Sequence, residues 1–311
     1  MERALSGITP SGKLHLGNYI GAIQQFIKMQ DEYEMYVFVS NLHSLTIAQD
    51  KKDRKVNTRD LVAFYLASGL DTNKTTIFLQ SEVLTHAQLA WIMQCHTYMG
   101  ELSRMTQYKD KSSKHTENIN VGLFTYPDLM AADILIYDPK YVPVGEDQRQ
   151  HIELARDVAI RFNNKYGDTF HIPEIKITKG GAKIMSLSDP TKKMSKSDDT
   201  NDRGCVYLLD DEKTITKKIM SATTDSIGIV QFDEEKQPGI SNLLTIYSQM
   251  EQIKVSEAAE KFKGYSYADF KEEVAKAVVK FLMELQEKYQ YVIDNNLVEK
   301  ALEQGKEKAY Q

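Results

Sequence analysis

The first segment of chemical interest is a turn near the N-terminus. Residues 6–13 carry glycine, proline and serine between a short apolar run, Ala4-Leu5, and an amphipathic stretch. Glycines in such a strand–turn–helix segment let backbone amides come close to a phosphate. His15 and Asn18 are three residues apart, so they share one face at the start of the helix and can donate hydrogen bonds to a triphosphate. On its own, the segment is also typical of an ordinary turn before a helix.

A lysine- and serine-rich hexapeptide occupies positions 192–197. Read alone, it is a charged surface loop. Its last five residues read KMSKS and follow the sequence HLGN at 15–18, a variant of the tetrapeptide HIGH. The two segments, in this order, resemble the signatures of class I aminoacyl-tRNA synthetases. In that chemistry a carboxylate attacks the α-phosphate of ATP, and positioned lysines stabilise the charge that develops on the leaving pyrophosphate.

Composition narrows the class of protein. A chain of 311 residues with 41% hydrophobic and 27% charged residues is typical of a globular protein of about two domains. No apolar run is long enough to span a membrane. Cys95 and Cys205 match no metal-ligand spacing, so we expect reduced thiols, no protein-bound metal and a cytoplasmic location. The net charge of −5 leaves nucleic-acid binding open, because phosphate contacts depend on local patches.

The order of elements predicts an α/β fold. Apolar runs at 35–39 and 75–79 indicate buried parallel strands, whereas 17–30 and 56–68 have helical periodicity. This alternation is typical of a doubly wound, Rossmann-type parallel sheet, whose ligands lie at the carboxyl ends of the strands. We also expect the helix at 85–98 to bury Trp91 in its apolar face, and 109–120 to form a surface loop.

A change of character beyond Asp210 predicts a second domain. Helical patterns follow at 211–222, 240–250, 255–263 and 266–292 without convincing strands. We therefore expect a catalytic domain at 1–187 and, at 188–311, a helical domain that includes the KMSKS loop. In one possible arrangement, the last helix packs back on the catalytic domain.

Three further segments sharpen the resemblance. LMAADIL at 129–135, VPVGEDQ at 142–148 and PGISNLL at 238–244 are similar to bacterial tryptophanyl-tRNA synthetases, and the similarity covers essentially the whole chain. The resemblance implies activation of L-tryptophan by ATP with Mg²⁺ on the phosphates, transfer to tRNA(Trp), a homodimer, and an anticodon-binding helical domain.

The resemblance also assigns residues to roles. The catalytic residues that it implies are His15, Asn18, Lys193, Ser195 and Lys196. The ATP-binding residues are Thr9, Pro10, Ser11, Gly17, Asn18, Gly145, Glu146, Asp147, Ile184, Lys193, Met194, Ser195, Lys196 and Ser197. The tryptophan-binding residues are Leu5, His43, Tyr126, Met130, Asp133, Val142, Val144 and Gln148.

Asp133 is the specificity residue that the resemblance implies. In isolation, an acid in an apolar helical run is typically tied into a salt bridge or faces solvent. A buried carboxylate walled by Met130, Val142 and Val144 would instead suit an indole, which presents one N–H and a large apolar body. We expect phenylalanine to leave that carboxylate unpaired, which is how polar pockets discriminate. His43 is open to two interpretations, a pocket residue or a core histidine with satisfied hydrogen bonds.

Two other functions compete with a tryptophan enzyme. A tyrosyl-type synthetase shares both signatures, but the helix of Asp133 and the tract at 145–148 favour tryptophan. A synthetase-like RNA-binding protein without catalysis typically loses one signature, and here both remain.

Overall fold

The computed structural model describes residues 1–10, 12–47, 50–114, 119–177, 182–195 and 203–311. The chain forms two compact units. The first unit comprises Met1–Gly12, Phe26–Lys179 and Asn296–Gln311, and the second comprises Lys13–Gln25 and Gly180–Asn295.

The first unit is built on a parallel sheet of five strands. In chain order the strands are β1 (Arg3–Ile8), β2 (Glu34–Val39), β3 (Thr75–Leu79), β4 (Tyr141–Val144) and β5 (Glu174–Ile177). They lie in the order β3-β2-β1-β4-β5, and every pair is parallel. The chain runs outward from β1 to one edge and then crosses to the other, so the predicted doubly wound α/β fold is confirmed.

Helices connect the strands and form the second unit. In chain order they are α1 (Leu16–Asn18), α2 (Gln24–Met29), α3 (Lys51–Ala67), α4 (Thr85–Gln94), α5 (Met99–Ser103), α6 (Thr106–Lys114), α7 (Val121–Leu135), α8 (Arg149–Tyr166), α9 (Glu212–Met220), α10 (Pro238–Met250), α11 (Val255–Lys261), α12 (Tyr267–Asp294) and α13 (Leu297–Ala309). A π-helical turn at Tyr19–Ile23 joins α1 to α2. Short 3₁₀ turns lie at His43–Thr46, Gln80–Glu82 and Glu146–Gln148.

The core of the first unit lies where the sheet meets α7 and α8. Apolar side chains from β1, β2 and β3 pack against Ile134 of α7 and Ile152 of α8. A second cluster joins α4, α5, α7 and α8 through Met93, Leu102 and Leu135. Because both faces of the sheet are buried, its central strands are continuous apolar runs in the sequence.

Two local predictions were wrong. The segment 109–120 is not all loop, because α6 extends to Lys114. Trp91 is not in the buried face of α4: that face carries His86, Ala90 and Met93 at helical spacing, and Trp91 is 69% exposed. Apolar residues occur on both faces of this helix, so the sequence could not show which face α5, α7 and α8 would cover.

The compact units differ from the predicted division at 187/188. Residues 13–25 belong to the second unit because the amide N–H of Leu16 donates to Val206 O at 2.9 Å and Tyr19 packs on Phe281, their ring centroids 4.9 Å apart. The last helix, α13, belongs to the first unit and packs along β3. Gly305 permits that contact, since a Cβ there would lie 1.8 Å from the carbonyl oxygen of Ile77.

Within the described ranges, no helix is both long enough and apolar enough to cross a bilayer.

Asp128 of α7 gives a testable dependence of stability on pH. Burial raises the pKa of its carboxyl to about 6, the Glu101 charge acts in the same direction, and the Thr97 hydroxyl lowers it. The folded state therefore holds the proton more tightly than the unfolded chain, and stability is lost as the pH rises from about 4 to 6. We expect Asp128→Asn to raise the free energy of unfolding at pH 7.5 by roughly 2–3 kcal/mol.

Urea unfolding of the wild type and of Asp128→Asn at pH 4 and pH 7.5 measures this difference, with the exposed Asp168→Asn as the control. The two curves should converge at the lower pH. An equal gain at both pH values would mean that ionisation of Asp128 is not its source.

Candidate active site

Backbone pairing holds the first signature segment within the second unit. The amide N–H of Leu208 donates to Leu14 O at 3.0 Å, and His15 forms an antiparallel bridge with Tyr207. The segment around Tyr207 is itself fixed by Lys218, whose Nζ donates to Cys205 O at 2.8 Å and to Asp210 Oδ2 at 2.9 Å. A side chain from α9 thus helps to fix the position of His15.

His15 and Asn18 are brought together at the start of α1. The His15 amide N–H donates to Asn18 Oδ1 at 3.1 Å, and the imidazole is almost fully buried. The π-helical turn follows directly, a form of helix that is frequent at functional sites. The two residues therefore meet as predicted: the side chain of Asn18 caps the start of the helix by accepting the hydrogen bond from the backbone of His15.

The second signature begins in a narrow antiparallel ribbon. The amide N–H of Ser186 donates to Lys192 O at 2.8 Å, and that of Met194 donates to Ile184 O at 2.9 Å. Asn242 of α10 bonds both backbone groups of Met185, at 2.8 and 2.9 Å. Ile184 and Met194 are buried and Lys193 is exposed, so the ribbon directs the lysine into solvent.

The two signatures are neighbours inside this unit. A Cβ placed on Gly17 would lie 3.5 Å from Cβ of Met194 and 3.1 Å from Nδ1 of His15. Ser195 follows and is half-buried. Three predicted residues, Ser11, Lys196 and Ser197, lie outside the described part of the chain.

In the first unit, polar residues lie at the carboxyl ends of the strands. Thr9 follows β1, and its hydroxyl is 2.9 Å from that of Ser40, which follows β2; Pro10 is buried beside it. After β4, the 3₁₀ turn presents Gly145, Glu146 and Asp147. Arg149 engages Glu146 at 2.5 and 3.1 Å, so that carboxylate is neutralised locally. This edge is where open parallel sheets bind ligands.

Asp133 lies at the centre of a buried hydrogen-bond cluster. Gln80 Nε2 is 2.7 and 2.8 Å from its two carboxylate oxygens, His86 Nδ1 is 2.6 Å from Oδ1, and His43 Nε2 is 2.7 Å from Oδ2. Burial by itself would raise the pKa of this carboxyl, but His43 and His86 outweigh it, so the pKa lies below its usual value. A fully buried, ionised carboxylate results.

The structure places the other predicted pocket residues on α7, in the turn after β4 and in the apolar cluster between the sheet and α7. Tyr126, Met130 and Asp133 share one face of α7. The Tyr126 hydroxyl is 2.8 Å from His151 Nε2, and its ring lies edge-on to His43 with centroids 6.2 Å apart. Gln148 Nε2 donates to Asp147 Oδ2 at 2.8 Å. The apolar members of the set lie in the cluster between the sheet and α7: Leu5, Met130, Val142 and Val144.

Comparison with known proteins decides the family. The family model described as tRNA synthetases class I (W and Y) matches residues 2–283. The chain belongs to this family of class I tRNA synthetases. A tryptophan–tRNA ligase from Caldanaerobacter subterraneus subsp. tengcongensis is 55% identical over 310 residues, which are 99% of this chain and 94% of that protein.

Solved structures agree. The crystal structure of tryptophanyl-tRNA synthetase from Mycoplasma pneumoniae has a TM-score of 0.90 at 41% identity, with 99% of this chain and 93% of that chain covered. The enzyme from Campylobacter jejuni, solved with ADP and tryptophan, gives a TM-score of 0.84 at 36% identity and covers 99% of this chain and 95% of its own.

Three members of the Asp133 cluster were missed by sequence reasoning: Gln80, His86 and Tyr137. Gln80 had a usable signal, because it directly follows β3 at the ligand-binding edge of the sheet. His86 and Tyr137 had none. The expectation that phenylalanine would leave Asp133 unpaired was also wrong, because three protein side chains bond the carboxylate.

Gly17 offers a test of how the first signature is positioned. We expect Gly17→Ala to lower amino-acid-dependent ATP–pyrophosphate exchange by roughly tenfold or more, because the new methyl group must push the His15 ring by a few tenths of an ångström. Gly21→Ala, four residues further along the same helical segment, is the matched control, since its Cβ would meet no atom within 4 Å. Equal activities of the two variants would remove His15 positioning as the reason for glycine.

Proposed function

We propose that the protein is a tryptophan–tRNA ligase. It activates L-tryptophan with ATP to tryptophanyl-adenylate and transfers the aminoacyl group to tRNA(Trp), releasing AMP and pyrophosphate. The identity of 55% to a tryptophan–tRNA ligase over nearly the full length supports this assignment. The observation that carries the choice of amino acid is the buried Asp133 carboxylate beside the apolar cluster of Val142 and Met130.

Activation requires positioning and positive charge. The carboxylate oxygen of tryptophan forms a bond to the α-phosphorus of ATP, and the bond from that phosphorus to the bridging oxygen breaks as pyrophosphate leaves with the electron pair. The amino acid's carboxylate is already a nucleophile, so no general base is needed. Lys193 and Lys196 meet the charge on pyrophosphate, and Mg²⁺ enters on the phosphates as part of the ATP substrate.

Asp133 accepts the indole N–H in this proposal, while the apolar cluster covers the ring. A hydrogen bond to a charged group contributes about 1.5–3 kcal/mol, which corresponds to a factor of roughly ten to a hundred in affinity. Tyrosine places a hydroxyl on a smaller ring and presents no indole N–H, which distinguishes the tyrosyl alternative. A synthetase-like RNA-binding protein without catalysis would not need both signature segments held next to each other.

The experiment is ATP–pyrophosphate exchange with each of the twenty amino acids and with 3-benzothienylalanine, in which sulfur replaces the indole N–H. We expect exchange with tryptophan alone among the twenty, and a kcat/KM for the sulfur analogue at least about tenfold lower. Exchange with tyrosine would establish the rival enzyme, and no exchange with any amino acid would establish a binding protein. Equal kcat/KM values for tryptophan and the analogue would remove Asp133 as the indole acceptor.

We further propose that the enzyme is a cytoplasmic homodimer whose helical second unit reads the anticodon. Large apolar side chains that are 67–76% exposed support an interface on the first unit. They lie just before α4 and on α4, α5 and α7: Leu84, Trp91, Met99 and Val121. Trp91 also lines a cavity of about 580 Å³ with Leu45 and Leu129. Contact with a second copy of the chain would remove these side chains from water.

The single tryptophan of the chain reports on this interface directly. We expect the wild type to be a dimer at micromolar concentration, and Trp91→Glu to be a monomer, because the charge would be buried without a partner. Size-exclusion chromatography with light scattering measures the mass, and Tyr166→Glu, which replaces another exposed aromatic side chain, on α8, is the control. On dilution, the wild-type emission should shift to the red. A Trp91→Glu dimer would place the interface elsewhere.

A further inference from the structure

A chain of hydrogen bonds starts at the Asp133 carboxylate and runs through His86 to Tyr137. His86 bonds Asp133 through Nδ1 at 2.6 Å and the hydroxyl of Tyr137 through Nε2 at 2.8 Å. Gln80 spans both carboxylate oxygens. Gln80 and His86 are completely buried, whereas the side chain of His43 is 14% exposed. The donors to Asp133 therefore divide into two buried side chains and one that faces the surface.

The positions of the hydrogens follow from the acceptor at the centre. An ionised carboxylate only accepts hydrogen bonds, so His86 must carry its hydrogen on Nδ1. On the other side of the ring, Nε2 lies within hydrogen-bond distance of the Tyr137 hydroxyl, so this contact anchors the imidazole at its far nitrogen. Burial raises the pKa of Tyr137, and the negative charge of Asp133 acts in the same direction, which keeps the hydrogen on that hydroxyl. Tyr137 thus fixes the orientation of the imidazole whose Nδ1 bonds Asp133.

The ring of Tyr137 is itself fixed. It packs against Tyr36 and Phe78 with centroid distances of 5.2 Å in both cases, and against the His86 ring at 5.4 Å. Its backbone oxygen accepts a hydrogen bond from Arg3 Nη1 at 2.8 Å. Tyr137 follows the end of α7, whereas Asp133 lies within it, so the chain of bonds ties the end of that helix to β3 and to the start of α4.

We infer that Gln80, His86 and Tyr137 are positioning residues that set tryptophan specificity by fixing the orientation of the Asp133 carboxylate. This inference rests on the proposed function, in which Asp133 accepts the indole N–H. A carboxylate held by two buried donors presents its oxygen in one direction, and the gain from an indole N–H depends on that direction. The network acts through Asp133, and none of its three members needs to touch the amino acid.

The test compares an N–H-bearing substrate with one that lacks it. The specificity ratio is kcat/KM for tryptophan divided by kcat/KM for 3-benzothienylalanine, measured by pyrophosphate exchange. We expect Tyr137→Phe to lower this ratio by about threefold to tenfold with little change in Tm, because only the far anchor of His86 is lost. Tyr36→Phe is the matched control: it removes a hydroxyl from the adjoining ring, and that hydroxyl bonds Glu34 rather than the network.

A second pair of variants covers the case in which Tyr137→Phe does not fold. His86→Asn keeps a donor where Nδ1 stands, and His86→Leu keeps none. We expect the ratio to stay within about threefold of the wild type in the first and to fall by about tenfold in the second. A merely structural role would lower Tm and total activity in both without changing the ratio.

The outcomes separate this inference from the proposed function. A wild-type ratio of about ten or more, left unchanged in Tyr137→Phe and His86→Leu, overturns the inference alone. A wild-type ratio near one overturns it together with the indole contact of Asp133. Failure of exchange with tryptophan overturns the proposed function itself.

Discussion

A negative charge without access to water dominates the arrangement of the first unit. Removing a carboxylate from water is expensive unless hydrogen bonds replace the lost hydration. Asp133 obtains these bonds from residues far apart in the chain, Gln80 at the end of β3 and His86 in α4. The charge therefore requires α4, α7 and the edge of the sheet to meet in one register. Loss of either donor element would leave the buried carboxylate with fewer hydrogen bonds, so the cluster and the core are stabilised together.

In the second unit, backbone hydrogen bonds bring together two signature segments that are far apart in the sequence. Its first signature lies near the N-terminus and its second about 180 residues later, yet Leu14 and Leu16 pair with the strand-like segment around Tyr207. The antiparallel ribbon that begins the second signature is fixed separately, because the side-chain amide of Asn242 bonds the backbone of Met185. Each bond of this kind contributes only about 1 kcal/mol, but together they define one geometry for His15 and for Met194. Preorganisation of this kind lets charged groups stabilise a transition state without reorganising.

Sequence patterns predicted the parts of this protein that depend on local physics. The strands at 34–39 and 75–79 and the helices of the second unit were predictable because apolar periodicity reports burial directly. The face of α4 was not, because Trp91 and Met93 look alike to a hydrophobicity pattern, and only packing against α5, α7 and α8 decides which is covered. The π-helical turn at Tyr19–Ile23 and the placement of α13 on β3 depend on contacts between distant residues, for which the sequence holds no local signal. His86 and Tyr137 belong to the same class.

The bonds at Asp133 also change how amino-acid selection must be understood. A carboxylate has about four acceptor positions, and Gln80, His86 and His43 already make four contacts with its oxygens. An incoming indole N–H must therefore take a position that a protein donor holds, and His43 is the donor with exposed surface. Phenylalanine has no N–H to displace His43, so the bond from His43 to Asp133 would stay and the carboxylate would not be left unpaired. Discrimination by hydrogen bonding then lies at the lower end of the range for a bond to a charged group, about 1.5 kcal/mol, and below the penalty for an unpaired ion. The fit of the bicyclic ring against Met130 and Val142 must supply the remainder, so polar recognition and apolar packing share the task in this pocket.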